Sequence, residues 1–287
     1  MLVSGQRPAV GYDVVDAAAT LTMDQVETRN ALTPELMAGI VDGLGRAAAD
    51  PAVRVVVLTH AGPVFCAGAD LREGRAPAGG SGPGGPGPSS PGPSSPGPGG
   101  SLAGSVELAG VLAAIQDSPL PVVARIAGPC LGGGLGLAAA CDLSIAVEDV
   151  RVGFSEVRLG VAPAIISVVC LPKLRRGDAL ELMLTGERVA ARRAVEVGLI
   201  TRAVPAGELD AAVAEVVAQL EAGAPGALAA TKAIVLGRLP SQRDAAFAVM
   251  AELSGRLFAG EEAAEGRAAF ADKRPPAWAG PPVGPGS

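Results

Sequence analysis

Gly128-Pro129-Cys130-Leu131-Gly132-Gly133-Gly134-Leu135-Gly136 follows an apolar strand candidate, Val122 to Ala127, and leads into a short apolar helix, Leu135 to Ala140. A turn stripped of side chains can aim backbone N–H groups at one point. The first N–H groups of a helix lack intrahelical acceptors and sit at its positive end. A second turn of this kind, Phe65-Cys66-Ala67-Gly68-Ala69-Asp70-Leu71, follows another strand candidate, Arg54 to Thr59. Two converging N–H donors make a site for an oxygen that turns negative during reaction, an oxyanion hole of the kind thioester chemistry uses. Glycines also let a helix pack closely on a sheet. A third reading is dinucleotide binding, because Gly134-x-Gly136-x-x-Ala139 fits the loose fingerprint and Glu156 lies about twenty residues on. It fits poorly: the strand ends well before Gly134, whereas in a dinucleotide turn the first glycine follows the strand almost at once.

The flanking sequence predicts the framework for these turns. Two short strands are expected between residues 10 and 23, then a helix from Pro34 after Thr33 to about Ala49, with Leu36, Ile40 and Leu44 at helical spacing. Residues 54–59 form a nearly continuous apolar run, typical of a strand buried on both faces. Residues 74–100 are almost entirely Pro, Gly and Ser, a composition that cannot bury apolar surface and predicts a disordered surface insertion. A helix is expected from Leu102 to Gln116 and a strand from Leu143 to Val147. Alternating strands and helices argue for a layered α/β domain with parallel pairing. From about residue 206 the pattern is helical: Glu208 to Glu221, Pro225 to Gly237, Ser241 to Phe258 and Glu261 to about Phe270.

Composition excludes several function classes. A net charge of −6 and a pI near 5.0 argue against nucleic acid or an anionic membrane as partner. His60 is the single histidine of the chain, so a His-rich metal site is excluded. A hydrolytic triad would have to use His60, which ends a strand, and no Gly-x-Ser-x-Gly elbow occurs. Cys66, Cys130, Cys141 and Cys170 have no C-x-x-C spacing and read as small, reduced core residues. No signal peptide and no run of 18 or more apolar residues is evident, so a cytoplasmic protein without a membrane span is expected.

Together these motifs resemble the crotonase (enoyl-CoA hydratase/isomerase) superfamily. The resemblance runs from Arg29-Asn30-Ala31-Leu32 through Phe65–Leu71, Gly128–Asp142 and Phe154–Pro163. It continues into the tail at Phe258, Glu265-Gly266 and Phe270-x-x-Lys273-Arg274. It implies a crotonase-like ββα spiral core over residues 1–205. The helical region 206–287 would then build a homotrimer or a dimer of trimers. The N–H groups of Ala69 and Gly133 match the two oxyanion donors for the carbonyl of an acyl-CoA. Arg29 matches a loop position near the CoA, and Ala67, Asp70 and Leu71 line the same turn. Phe270 and Lys273 match tail positions that, in family trimers, reach CoA on a neighbouring subunit. Glu156, in Gly153-Phe154-Ser155-Glu156-Val157-Arg158-Leu159-Gly160, matches an acid/base glutamate. Its apolar neighbours would raise its pKa toward the range useful for proton transfer. The alternative is a solvated glutamate paired with Arg158. No metal or redox cofactor is implied, and CoA arrives as part of the substrate.

One position departs from the pattern. Hydratases of the standard type carry a second glutamate two residues after the triple glycine, where this chain has Gly136. One glutamate can shuttle a proton between two carbons, which suits double-bond isomerisation. The run Ser155 to Ser167, however, resembles a glycine-bearing subgroup assigned to hydration of branched glutaconyl-type CoA esters. The resemblance therefore implies an enoyl-CoA hydratase, with a Δ3,Δ2-enoyl-CoA isomerase or a non-catalytic acyl-CoA-binding protein as alternatives.

Overall fold

The computed structural model describes residues 8–69, 100–236, 240–274 and 276; for 100–106 and 240–242 only the backbone is described. Its centre is a six-stranded sheet in the order β1-β2-β3-β4-β6-β9, formed by Val10–Val15, Ala18–Met23, Val55–His60, Val122–Ile126, Leu143–Val147 and Arg202–Val204. The hairpin β1/β2 is antiparallel, and every other pair is parallel. Parallel neighbours require crossovers. These are α1 (Pro34–Ala49), α2 (Gly100–Asp117) and α3 (Gly133–Ala140), with further short elements before β9.

Alternation along the strands divides the apolar side chains between two layers. Leu21, Val56, Leu58, Val122, Ala124 and Ile126 enter the main core with α1, α2 and α3. Val55, Val57, Val123 and Ile145 face the other way and are covered by Leu209, Ala212, Val213 and Val216 of α7 (Leu209–Glu221). This two-sided burial explains the unbroken apolar run of β3. Helix α1 starts where the sequence predicts: Pro34 occupies its first turn, and the Thr33 side chain accepts the N–H of Leu36 at 3.2 Å.

The triple-glycine helix begins at Gly133, two residues before the expected Leu135. Gly132 adopts φ +52° as its N-cap, a conformation glycine reaches without steric penalty. Between residues 148 and 205 the chain forms short elements that periodicity does not announce: β7 (Arg151–Gly153), α4 (Ala164–Cys170), α5 (Arg176–Thr185), β8 (Arg188–Ala190) and α6 (Ala191–Glu196). Strands β7 and β8 join β5 (Cys130–Leu131) in a second, three-stranded sheet.

The tail forms α8 (Pro225–Val235), α9 (Pro240–Phe258) and α10 (Glu261–Ala271). Helix α9 packs on α2 and α4. Lys232 of α8, nearly buried, donates to Ile115 O, Leu120 O and Asp142 Oδ2 at 3.1, 3.2 and 2.7 Å. That bridge fastens α8 to the ends of α2 and α3. The expected insertion, apart from Gly100 at the start of α2, lies outside the described residues. Among the described residues no helix is long and apolar enough to cross a membrane.

Candidate active site

The two glycine turns meet. Residues 65–66 lie alongside 129–131: the N–H of Phe65 donates to Pro129 O at 3.0 Å, and that of Leu131 to Cys66 O at 3.1 Å. A Cβ placed on Gly68, whose φ is +93°, would stand 3.1 Å from Leu131 O and 3.5 Å from the Gly133 nitrogen. Glycine is therefore required for this approach. Among the described residues, neither the N–H of Ala69 nor that of Gly133 has an acceptor. Gly133 is the first residue of α3, where such donors are left over. Two free N–H groups on touching turns, one at a helix N-terminus, are able to hold an anionic oxygen.

A third segment fixes the first turn. The N–H of Ala67 donates to Arg29 O at 3.1 Å and that of Leu32 to Gly68 O at 2.9 Å. Arg29 and Asn30 both adopt left-handed backbone, φ +58° and +52°, and Asn30 is fully buried. Its amide nitrogen donates to Ala61 O and Val64 O, and its Oδ1 accepts the Gln25 N–H. Asn30 thus ties the loop to the end of β3. Its role was not legible as a site residue, although asparagine tolerates left-handed backbone better than most residues.

Glu156 reaches the turns through the small sheet. Gly132 N–H donates to Gly153 O at 3.0 Å, and from the end of β7 the chain passes the buried Phe154 into a one-turn 3-10 helix, Glu156–Leu159. The carboxyl lies over Gly132: a Cβ there would stand 3.2 Å from Oε1. Oε2 is sealed from solvent and has no hydrogen-bond partner among the described residues. Burial pushes the carboxyl up to about 7, opposed weakly by the residue's own backbone N–H. The Arg158 guanidinium turns away and donates to Thr185 O. The solvated Glu156–Arg158 pair does not form.

Position 136 is closed. A Cβ on Gly136 would overlap the Cγ2 of Ile166, a buried residue of α4. The N–H of Gly136 donates to Gly132 O at 3.1 Å, which ties this position to the turn beneath Glu156. Nothing in the linear pattern pointed to Ile166. Of the other expected site residues, Ala67 is half-buried in the first turn and Arg29 is exposed beside it. Phe270 (62% exposed) and Lys273 are exposed at the end of α10. Asp70 and Leu71 lie outside the described residues. All four cysteines are free and buried. Burial pushes the Cys66 and Cys141 thiols up to about 12, and Cys170 is raised first by burial and then by the nearby Glu156. His60 is a strand-end structural residue: its Nε2 accepts the Ala127 N–H, and its ring meets Phe65 edge-on. Among the described residues no group of three or more His, Cys, Asp or Glu side chains is placed to hold a metal.

This fold, with paired glycine turns at the ends of parallel strands, is the crotonase fold. An enoyl-CoA hydratase from Mycobacterium avium, solved by crystallography, matches with a TM-score of 0.81 at 38% identity, over 96% of this chain and 100% of that one. The family model for enoyl-CoA hydratase/isomerase matches residues 14–79 and 104–281. An enoyl-CoA isomerase/hydratase of Mycosarcoma maydis is 33% identical over 250 residues, 80% of this chain and 83% of that protein. A carnitinyl-CoA dehydratase of Proteus mirabilis is 34% identical over 240 residues, 80% of this chain and 83% of its own. The chain belongs to the enoyl-CoA hydratase/isomerase family.

Proposed function

We propose that the protein is an enoyl-CoA hydratase, adding water in syn fashion across the 2,3 double bond of an acyl-CoA thioester. The observation that carries this reading is the buried Oε2 of Glu156 beside Gly132, one residue from the Gly133 N–H, both without a hydrogen-bond partner among the described residues. In the proposed reaction the ionised Glu156 takes a proton from water as its oxygen bonds to C3. The electrons of the double bond move to the thioester carbonyl, and the N–H groups of Ala69 and Gly133 hold the enolate oxygen. The same carboxyl then returns its proton to C2, so atoms and charge balance with one acid. Such backbone donors need no titration, and loss of one costs roughly 2.7–4 kcal/mol of barrier in comparable sites. Arg29, Ala67, Asp70, Leu71, Phe270 and Lys273 are assigned to binding the CoA ester. No metal or redox group takes part.

The closed position 136 favours a second reading, Δ3,Δ2-enoyl-CoA isomerisation. There, Glu156 removes a proton from C2 and returns it to C4 while the same two N–H groups hold the enolate. The resemblance of Ser155–Ser167 to the glutaconyl-type subgroup supports hydration instead. We assign the working form to a homotrimer or dimer of trimers in the cytoplasm. Exposed apolar side chains, among them Ile234 and Val235 at 77% each, support the self-association.

A panel of 2-enoyl- and 3-enoyl-CoA esters, crotonyl- and methylglutaconyl-CoA included, separates these readings by loss of the enoyl absorbance and by product analysis. Hydration by the wild type, reduced roughly 10²–10⁴-fold by Glu156→Gln, is the expected result. Conversion of 3-enoyl esters without hydration selects the isomerase. Equal turnover in both proteins removes Glu156 from the mechanism, and binding without turnover by either leaves a CoA-ester-binding protein.

A further inference from the structure

The 3-10 turn that carries Glu156 packs against three surfaces. One is the Gly132 turn already described, and one is the end of α5, where a Cβ on Gly186 would stand 3.1 Å from Val157 Cγ2. The third is α10. Gly160, which ends the turn at φ +74°, comes so close to α10 that a Cβ on it would overlap the carbonyl oxygen of Glu262 and stand 2.9 Å from the Ala263 nitrogen. In return, a Cβ on Gly266 would overlap the carbonyl oxygen of Leu159. Each partner thus offers a glycine where the other offers backbone, with the buried Ala263 on the same stripe as Gly266. Backbone, unlike the end of a flexible side chain, has no rotamer by which to give way.

The turn transmits any displacement to its first residue. The N–H groups of Gly160 and Val161 both bond to Glu156 O, the latter at 3.1 Å. The carboxyl lies at the opposite end of this small unit, over Gly132.

We propose that α10 is the positioning element for Glu156, with Gly266 the positioning residue that sets how deeply the turn seats against Gly132. This deepens, and rests on, the assignment of Glu156 as the acid–base group. Phe270 follows Gly266 on the same helix and Lys273 stands two residues past its end, so the element assigned to the CoA end of the substrate also holds the proton-transfer end. The charged and titratable groups around the turn are Cys170 on α4, Arg158 held on Thr185 O, Glu187 just before β8, and Glu262 and Glu265 on α10, Glu265 bonding Arg274. None is bonded to the Glu156 carboxyl, so its proton affinity reports how deeply the turn is seated.

The test is a pH titration of the protonated-carboxyl infrared band that disappears in Glu156→Gln, run on the full-length wild type, Gly266→Ala and Ala263→Gly. Steady-state kinetics on an enoyl-CoA ester accompany it. Gly266→Ala adds a methyl where backbone stands and lifts the turn. The expected result is a midpoint lowered by about one unit or more as the carboxyl gains water, with kcat reduced on the order of tenfold to a hundredfold and KM within about twofold. Ala263→Gly loosens the same contact without a clash and moves the midpoint the same way, and it serves if Gly266→Ala does not fold. Gly226→Ala, whose Cβ meets nothing within 4 Å, leaves both readouts at wild-type values. A folded Gly266→Ala or Ala263→Gly protein whose midpoint stays at the wild-type value overturns the proposal, whatever its kcat. The infrared midpoint needs no turnover. An inactive wild type therefore counts against the hydratase reading alone, and an unmoved midpoint against positioning by α10 alone.

Discussion

A carboxyl that titrates at about 7 inside a fold has two consequences, one for rate and one for stability. As the base of the proposed hydration, Glu156 must be ionised, so the acid limb of the kcat/KM profile is expected to have its midpoint near 7. The stability effect has the opposite sign. The unfolded chain loses this proton around 4.5, whereas the folded chain keeps it to about 7. Across that window the native state binds more protons, and stability falls as pH rises. Glu156→Gln is expected to flatten that fall, gaining up to about 3 kcal/mol over the wild type above pH 7. Urea midpoints of both proteins at pH 4.5, 6 and 8 check this; parallel pH dependences refute it. The burial of Glu156 was legible in the sequence because of its apolar neighbours. What could not be read is why the carboxyl stays unpaired: Arg158 is spent on a carbonyl that α5 supplies. Asn30 was illegible for a similar reason, since its three partners come from two separate loops, Gln25 after β2 and Ala61 and Val64 after β3.

Among the elements, α3 and α4 show how a missing side chain is compensated. Gly136 on one helix and Ile166 on the other form a single packing unit. Gly136→Ala alone is expected to destabilise by roughly 1–3 kcal/mol through overpacking. With Ile166→Ala in the same chain the cost is less than the sum of the two single changes, because the cavity left by one accepts the methyl of the other. A double-mutant cycle in urea measures the coupling, and strict additivity would show that the two residues do not share space. The glycine run was readable as a turn into a helix, since local chemistry decides that. The partner filling the space was not, because no local pattern names a side chain arriving from another helix. The small sheet β5-β7-β8 escaped notice for the same reason: its two- and three-residue strands are too short for periodicity to register.

The whole molecule leaves apolar surface uncovered. Ile234 and Val235 on α8, Val249 on α9 and Leu180 and Leu184 on α5 are all at least half exposed. Self-association is the expected remedy. Sedimentation equilibrium should therefore return three or six times the 28.2 kDa of the chain, and charges introduced by Ile234→Glu with Val235→Glu should lower that mass. A monomer at micromolar concentration would contradict the assembly. Helical periodicity foretold this tail as helices, but not that α9 and α10 fold back on their own α2, α4 and Glu156 turn. The helix that closes the sheet also governs how the chain is made. Val55, Val57, Val123 and Ile145 all precede their cover, α7, along the chain, so they leave the ribosome before it. Until then a nascent chain that has already paired its strands carries one bare, sticky side. A chain that stops before residue 209 keeps that side bare and is expected to clump, whereas one that extends through α7 is expected to hide it.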